Sequence, residues 1–260
     1  MVEDREGAAL QAIVYQRDAG LAVDVNGIAR RFGRKWALRG VSLRVEAGEV
    51  VAVVGRNGSG KTTLLRILAT LLRPTRGGGR IYGHDLVSEA AEIRELVGLL
   101  GHAPGIYGDL TAQENLVFAL RMMGRTPDRS AVLEALEAVG LAREAGERAR
   151  HFSAGMQRRL ALARMFLQRP RLILLDEPYA SFDPEGIERV NAFLKESSAR
   201  GAAALVATHD LARAAAVVDR VVRMDAGTLV EESWTRPADT GGEPAAFAVG
   251  PGEGRGEWNA

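Results

Sequence analysis

The chain has 260 residues, 47% of them hydrophobic, enough for one large domain or two modest ones around a buried core. Its formal net charge of +1 argues against a polyanion-binding protein, and with no cysteine neither a disulfide nor a thiolate metal site can form. No stretch is apolar over the roughly 18 residues a membrane span needs, and the start Met-Val-Glu-Asp-Arg-Glu lacks the apolar segment of a signal peptide, so a cytoplasmic chain is expected.

In chain order, residues 1–20 are mixed polar and Ala-rich, read as a short amphipathic helix or a loose arm. Residues 21–29 and 41–45 alternate like strands, with Arg30-Arg31-Phe32-Gly33-Arg34-Lys35-Trp36 between them. Ala47-Gly48 marks a turn, and the apolar run Val50-Val51-Ala52-Val53-Val54 is a strand. Next come Gly55-Arg56-Asn57-Gly58-Ser59-Gly60-Lys61-Thr62-Thr63 and a helical spacing of Leu64, Leu65, Ile67, Leu68, Leu71 and Leu72. Arg73-Pro74-Thr75-Arg76-Gly77-Gly78-Gly79 is expected to stop that helix and open a loop. Short strands are predicted at 80–82 and 97–100, then a helical insertion from about 110 to 149 with helices at 112–123 and 130–139. A helix at 154–168, an apolar strand at 172–175, a helix at 185–200, a strand at 203–207 and a helix from about 211 follow. Residues 221–224 and 228–230 flank the hairpin turn Asp225-Ala226-Gly227. The Gly-, Pro- and Glu-rich tail is read as disordered, and there is no internal repeat.

Residues 55–62 fit G-x-x-x-x-G-K-[ST] between a strand and a helix. Glycines let successive backbone N–H groups turn inward on a phosphate chain, and the helix adds its positive N-terminus. Lys61 is placed to reach β- and γ-phosphates and Thr62 to ligate Mg²⁺, so the chain is expected to bind a nucleoside triphosphate. The strand at 172–175 delivers Asp176, able to hold Mg²⁺ through its water shell, and Glu177, able to accept a proton from an attacking water. Phe152-Ser153-Ala154-Gly155-Met156-Gln157-Arg158-Arg159-Leu160 reads as an N-cap before a basic helix. The same helix start is a second anion site, and one domain has one γ-phosphate, so the phosphate of another subunit is implied.

Together these motifs resemble the nucleotide-binding subunit of an ATP-binding-cassette (ABC) transporter, over about residues 21–232. The resemblance implies an α/β P-loop NTPase fold: a RecA-like core, an antiparallel β subdomain and a helical subdomain at about 103–168, between an N-terminal arm (1–20) and a tail (233–260). Residues 55–62 match the Walker A loop, making Gly55, Asn57, Gly58, Ser59, Gly60, Lys61, Thr62 and Thr63 ATP ligands, and 172–176 match Walker B, with Glu177 as catalytic glutamate. Ala180-Ser181-Phe182-Asp183 resembles the D-loop, and Thr208-His209-Asp210 the switch, whose His209 contacts the γ-phosphate. Phe32 takes the place of the aromatic that stacks on adenine, with Trp36 the alternative. Two copies, or this chain and a second ATPase subunit, would pack head to tail, with ATP and Mg²⁺ between Walker A of one and Ser153 and Gly155 of the other. A separate transmembrane permease would hold the pair on the cytoplasmic face of the membrane, with no nucleic acid bound.

The signature departs from Leu-Ser-Gly-Gly-Gln at Phe152, Ala154 and Met156 but keeps Ser153 and Gly155. Phe182 replaces a D-loop Leu, a packing change. His102 stands at the Q-loop glutamine position, near the Mg²⁺; a histidine there titrates near neutral pH, or it is a loop histidine with the Q-loop role moved. Gly101-His102-Ala103-Pro104-Gly105-Ile106, the Ser-Ala-Gly signature and Gln157-Arg158-Arg159 are similar to the ATPase subunits of cytochrome c maturation exporters, described as haem exporters. Met156 and the long C-terminal end also suit drug, lipid or polysaccharide exporters. Two other classes compete: a non-transport ABC protein acting on nucleic acid or ribosomes, and a small-molecule P-loop kinase.

Overall fold

The computed structural model describes residues 20–101, 103–180 and 182–232; the N-terminal arm through residue 19, His102, Ser181 and the tail from residue 233 lie outside them. A four-stranded antiparallel sheet is built from β1 (Leu21–Phe32), β2 (Lys35–Glu46), β4 (Arg76–Ile81) and the two-residue β5 (His84–Asp85), in the order β2-β1-β4-β5. A six-stranded sheet runs β10 (Thr228–Glu232), β9 (Arg220–Asp225), β3 (Val50–Val54), β8 (Ala203–Thr208), β7 (Leu172–Asp176), β6 (Val97–Leu100). It is parallel except for the β9–β10 hairpin.

Strands β3, β7 and β8 are buried on both faces, which is why they read as unbroken apolar runs. Val50, Ala52, Val54, Ile173 and Leu175 face a core completed by α3 (Ala112–Met122), α4 (Arg129–Ala138), α5 (Ala154–Gln168) and α6 (Pro184–Ala199). Val51, Val53, Leu172 and Leu174 face the opposite core, shared with the antiparallel sheet and α1 (Lys61–Leu68). Each such fully buried Val or Leu is worth about 1.5–3 kcal/mol of transfer free energy. The central strands are thereby fixed, and their C-terminal ends become a rigid platform, the usual place for a ligand in a parallel sheet.

Several local expectations change. Residues 30–36 form no gap: Phe32 pairs with Lys35 across the two-residue turn Gly33-Arg34, so the hairpin extends to its tip. Residues 76–79 are strand rather than loop. A Cβ on Gly77 would lie 2.2 Å from the Gly27 carbonyl oxygen, and one on Gly79 2.2 Å from that of Asp24. Those glycines serve close backbone pairing with β1, a tertiary demand that a local stop signal resembles. The P-loop helix ends at Leu68, Thr70 turns to φ +57°, and Leu71, counted in the helical stripe, is exposed. A short α2 (Ala90–Leu96) was not foreseen, and the helix expected from 211 is only a 3-10 turn, Leu211–Arg213.

Candidate active site

The P-loop begins where β3 ends. A Cβ on Gly55 would sit 2.3 Å from the Met224 carbonyl oxygen and one on Gly60 2.8 Å from that of Ala37, so β9 and β2 press the loop from two sides. Gly227 N–H donates to the Ser59 carbonyl (3.0 Å), so the tip of the β9–β10 hairpin also holds the loop. Lys61 is buried, and its Nζ donates to the carbonyls of Gly55 (2.6 Å) and Arg56 (3.3 Å). A buried ammonium needs such oxygens, and phosphate oxygens would serve better because they carry charge. Ser59 Oγ is buried with no partner, a polar atom that a phosphate oxygen can satisfy.

Thr62 Oγ1 donates to Asp176 Oδ2 at 2.8 Å, joining the first turn of α1 to the end of β7. Glu177, the next residue, has φ +51°, a left-handed conformation that costs a side-chain-bearing residue about 1–3 kcal/mol. Its N–H donates to the Ala207 carbonyl (2.8 Å). Its Oε2 lies 2.9 Å from His209 Nδ1 and its Oε1 4.0 Å from Lys61 Nζ, and Oε1 is buried without a hydrogen bond. Thus Lys61, Thr62, Asp176, Glu177 and His209 meet at the ends of β3, β7 and β8. The arrangement can neutralise anionic charge with Lys61, offer two hard oxygens to a cation, and present a carboxylate beside them to a water.

Lys61, Thr62, Asp176 and Glu177 border a cleft of about 470 Å³ that reaches Asn57, Gly58, Gly60, Thr63 and the β1–β2 hairpin; His209 stands behind Glu177, outside its lining. Gly58 leaves open space where a Cβ would point. Both aromatics of the hairpin line the cleft: Phe32 is 47% exposed and Trp36 partly buried. The Arg30 guanidinium covers one side of the Phe32 ring at 4.8 Å, and those of Arg31 and Arg76 lie 5.6 and 5.8 Å from Trp36. Ser153 and Gly155 are not among the cleft's lining residues. Ser153 is exposed, with its Oγ accepting from the Met156 N–H (3.2 Å) as the N-cap of α5. His102, the third metal ligand expected from the sequence, lies outside the described residues. The sequence reading missed the β9–β10 tip on the P-loop and Arg158, whose Nη2 donates to the carbonyls of Asp176 (2.7 Å) and Glu177. The turn signal at Asp225-Ala226-Gly227 was visible, but not what the turn touches. Phe182 packs on the helical core, its Cδ1 2.5 Å from where a Cβ on Gly186 would be.

A family model described as ABC transporter matches residues 38–180, more than half of the chain. The chain belongs to the ABC transporter family. It is 38% identical to the daunorubicin resistance ATP-binding protein DrrA3 of Streptomyces coeruleorubidus, over 86% of this chain and 72% of that protein. It is 39% identical to the cytochrome c biogenesis ATP-binding export protein CcmA 2 of Cupriavidus metallidurans, over 81% of this chain and 99% of that protein. Among solved structures it is similar to a dimeric ATP-binding cassette in a post-hydrolysis state bound to ADP and Pi, with TM-score 0.71 and 27% identity over 80% of this chain and 98% of the other. This ABC protein has the α/β P-loop fold of such cassettes and is an ATP-binding, ATP-hydrolysing subunit.

Proposed function

We propose that this ABC ATPase works as a pair and drives a separate membrane permease from the cytoplasmic face. The observation that carries the reading is the meeting of Lys61, the Thr62–Asp176 pair and a Glu177 held against His209. Backbone N–H groups of residues 55–63 hold the ATP phosphates, Lys61 offsets the β- and γ-phosphate charge, and Phe32 stacks on adenine. Glu177 accepts the proton of the attacking water, and His209 contacts the γ-phosphate. The residues present fit Mg²⁺, which would supply charge neutralisation at the phosphates: Thr62 and Asp176 bring hard oxygens 2.8 Å apart. Phosphate oxygens and water would complete the shell, because Mg²⁺ keeps several waters; His102, the other ligand expected from the sequence, lies outside the described residues.

Ser153 and Gly155, at the start of a 15-residue helix and away from their own chain's cleft, read the γ-phosphate held by the second subunit. Among the described residues no helix is long and apolar enough to cross a membrane. The helical layer instead carries a groove with exposed Tyr107, Phe118, Met122 and Met123 over Arg164, which suits a short helix from the permease. Nucleic acid is not a partner in this reading, consistent with the net charge of +1.

The cargo we assign is haem, in cytochrome c maturation. The motif spanning residues 101–106, the Ser153-Ala154-Gly155 signature and the similarity across nearly the whole of CcmA 2 support it. Drug export is the second reading, favoured by the similarity to DrrA3 over more of this chain. Haem-stained gels of c-type cytochromes, with and without the gene and with Lys61→Ala complementation, decide between them. Bands lost and not restored by Lys61→Ala support haem export; unchanged bands leave the ATPase and move the cargo to drugs, lipids or polysaccharides.

A further inference from the structure

We propose that Arg158 is a positioning residue for Glu177, holding the main-chain carbonyls at the general base while β8 holds its N–H. The inference rests on the reading of Glu177 given above. Pairing of β7 with β6 stops at Leu175 and Leu100, and its pairing with β8 reaches Asp176 and Ala207. Asp176 and Glu177 therefore lie past the last β6–β7 rung, and β6 takes up neither of their carbonyls. Arg158, in α5, reaches across: its Nη2 donates to the Asp176 carbonyl at 2.7 Å and to the Glu177 carbonyl at short range.

Glu177 is thus held on both sides of its Cα, its N–H by the Ala207 carbonyl of β8 and its own carbonyl by Arg158. Such bracing is what keeps a non-glycine residue at φ +51°. With the main chain set, the side chain reaches His209 on one oxygen and faces Lys61 with the other. Arg158 gives up something in this pose, because its Nε is buried with no partner. Burial also presses the guanidinium below its usual range, partly offset by the Asp176 and Glu177 carboxylates. The same helix begins at Ser153, so the strap joins the surface that meets the opposite ATP to the carbonyl of the base.

The test uses the full chain, with phosphate release for kcat and KM and thermal melting for integrity. Arg158→Met removes the donors and should lower kcat at least tenfold, with KM for ATP changed less than twofold. Arg158→Lys, whose ammonium can serve both carbonyls, should recover most of the loss. Should Arg158→Met not fold, Arg158→Gln, still polar but too short, is read in its place. A kcat within twofold of wild type overturns the inference. So does a joint loss of kcat, ATP affinity and melting temperature that Arg158→Lys does not repair, since that describes a structural tether. Glu177→Gln, measured alongside, separates the two levels. Wild-type hydrolysis by Glu177→Gln sinks the assignment of the base itself, whereas an inactive Glu177→Gln beside a fully active Arg158→Met removes Arg158 alone.

Discussion

Glu177 combines a strained backbone, a buried oxygen without a hydrogen bond and contact with His209. Strain kept in this way gathers at functional positions. Glu177→Gln keeps the shape and removes the base of the proposed mechanism, so ATP hydrolysis should fall at least about a hundredfold while ATP binding persists; phosphate release and equilibrium nucleotide binding measure the two. At the other end of the cleft, the proposed stacking of adenine on Phe32 would be worth about 1–3 kcal/mol, or roughly 5- to 150-fold in affinity. Phe32→Ala should weaken ATP binding within that range, and Trp36→Ala should weaken it less. The reverse order in a titration would move adenine to Trp36.

Elements depend on backbone approach and caps that no single residue advertises. Gly79→Ala drives a Cβ against the Asp24 carbonyl at φ +154°, whereas a Cβ at Gly78 meets nothing within 4 Å. Gly79→Ala should cost at least about 2 kcal/mol, lowering Tm by about 4 °C or more, and Gly78→Ala should stay within about 0.5 kcal/mol. Thermal melts of the pair check the difference. Helix α3 begins with a capping box: Thr111 Oγ1 accepts from the Glu114 N–H, and the Glu114 carboxylate from the Thr111 N–H at 2.8 Å. That N–H holds the Glu114 carboxyl below its ordinary value of 4.5. A folded value below the unfolded one means stabilisation that is present above pH 4.5 and fades as pH falls through the folded value. Glu114→Gln should therefore flatten the loss of stability below about pH 4.5 in acid titrations.

For the whole molecule, the decisive question is what the exposed start of α5 meets. In the proposed pair it meets the other subunit's ATP. Ser153→Arg places bulk and positive charge at a helix N-terminus that should receive a phosphate, and also removes a cap worth about 1 kcal/mol. In a Glu177→Gln background it should leave one-chain ATP binding intact and abolish the ATP-dependent dimer, seen by sedimentation as monomer at saturating ATP. A dimer that survives would exclude Ser153 from the interface.

The sequence by itself determined the strand–loop–helix that opens at Val50, though not where its helix stops, and the carboxylates after β7, because a buried strand, a glycine loop and the lysine that follows it are local patterns with fixed spacing. Periodicity likewise located α3 to α6 to within a residue or so, since their buried faces repeat at helical spacing. Only the tertiary structure decided that Gly77 to Gly79 form a strand, that the β9–β10 turn rests on the P-loop, and that Arg158 ends on the Asp176 and Glu177 carbonyls. Each of these is a contact between segments distant in sequence. A glycine that permits close approach looks the same as one that ends a helix, and an arginine bound to a remote carbonyl looks like one in solvent.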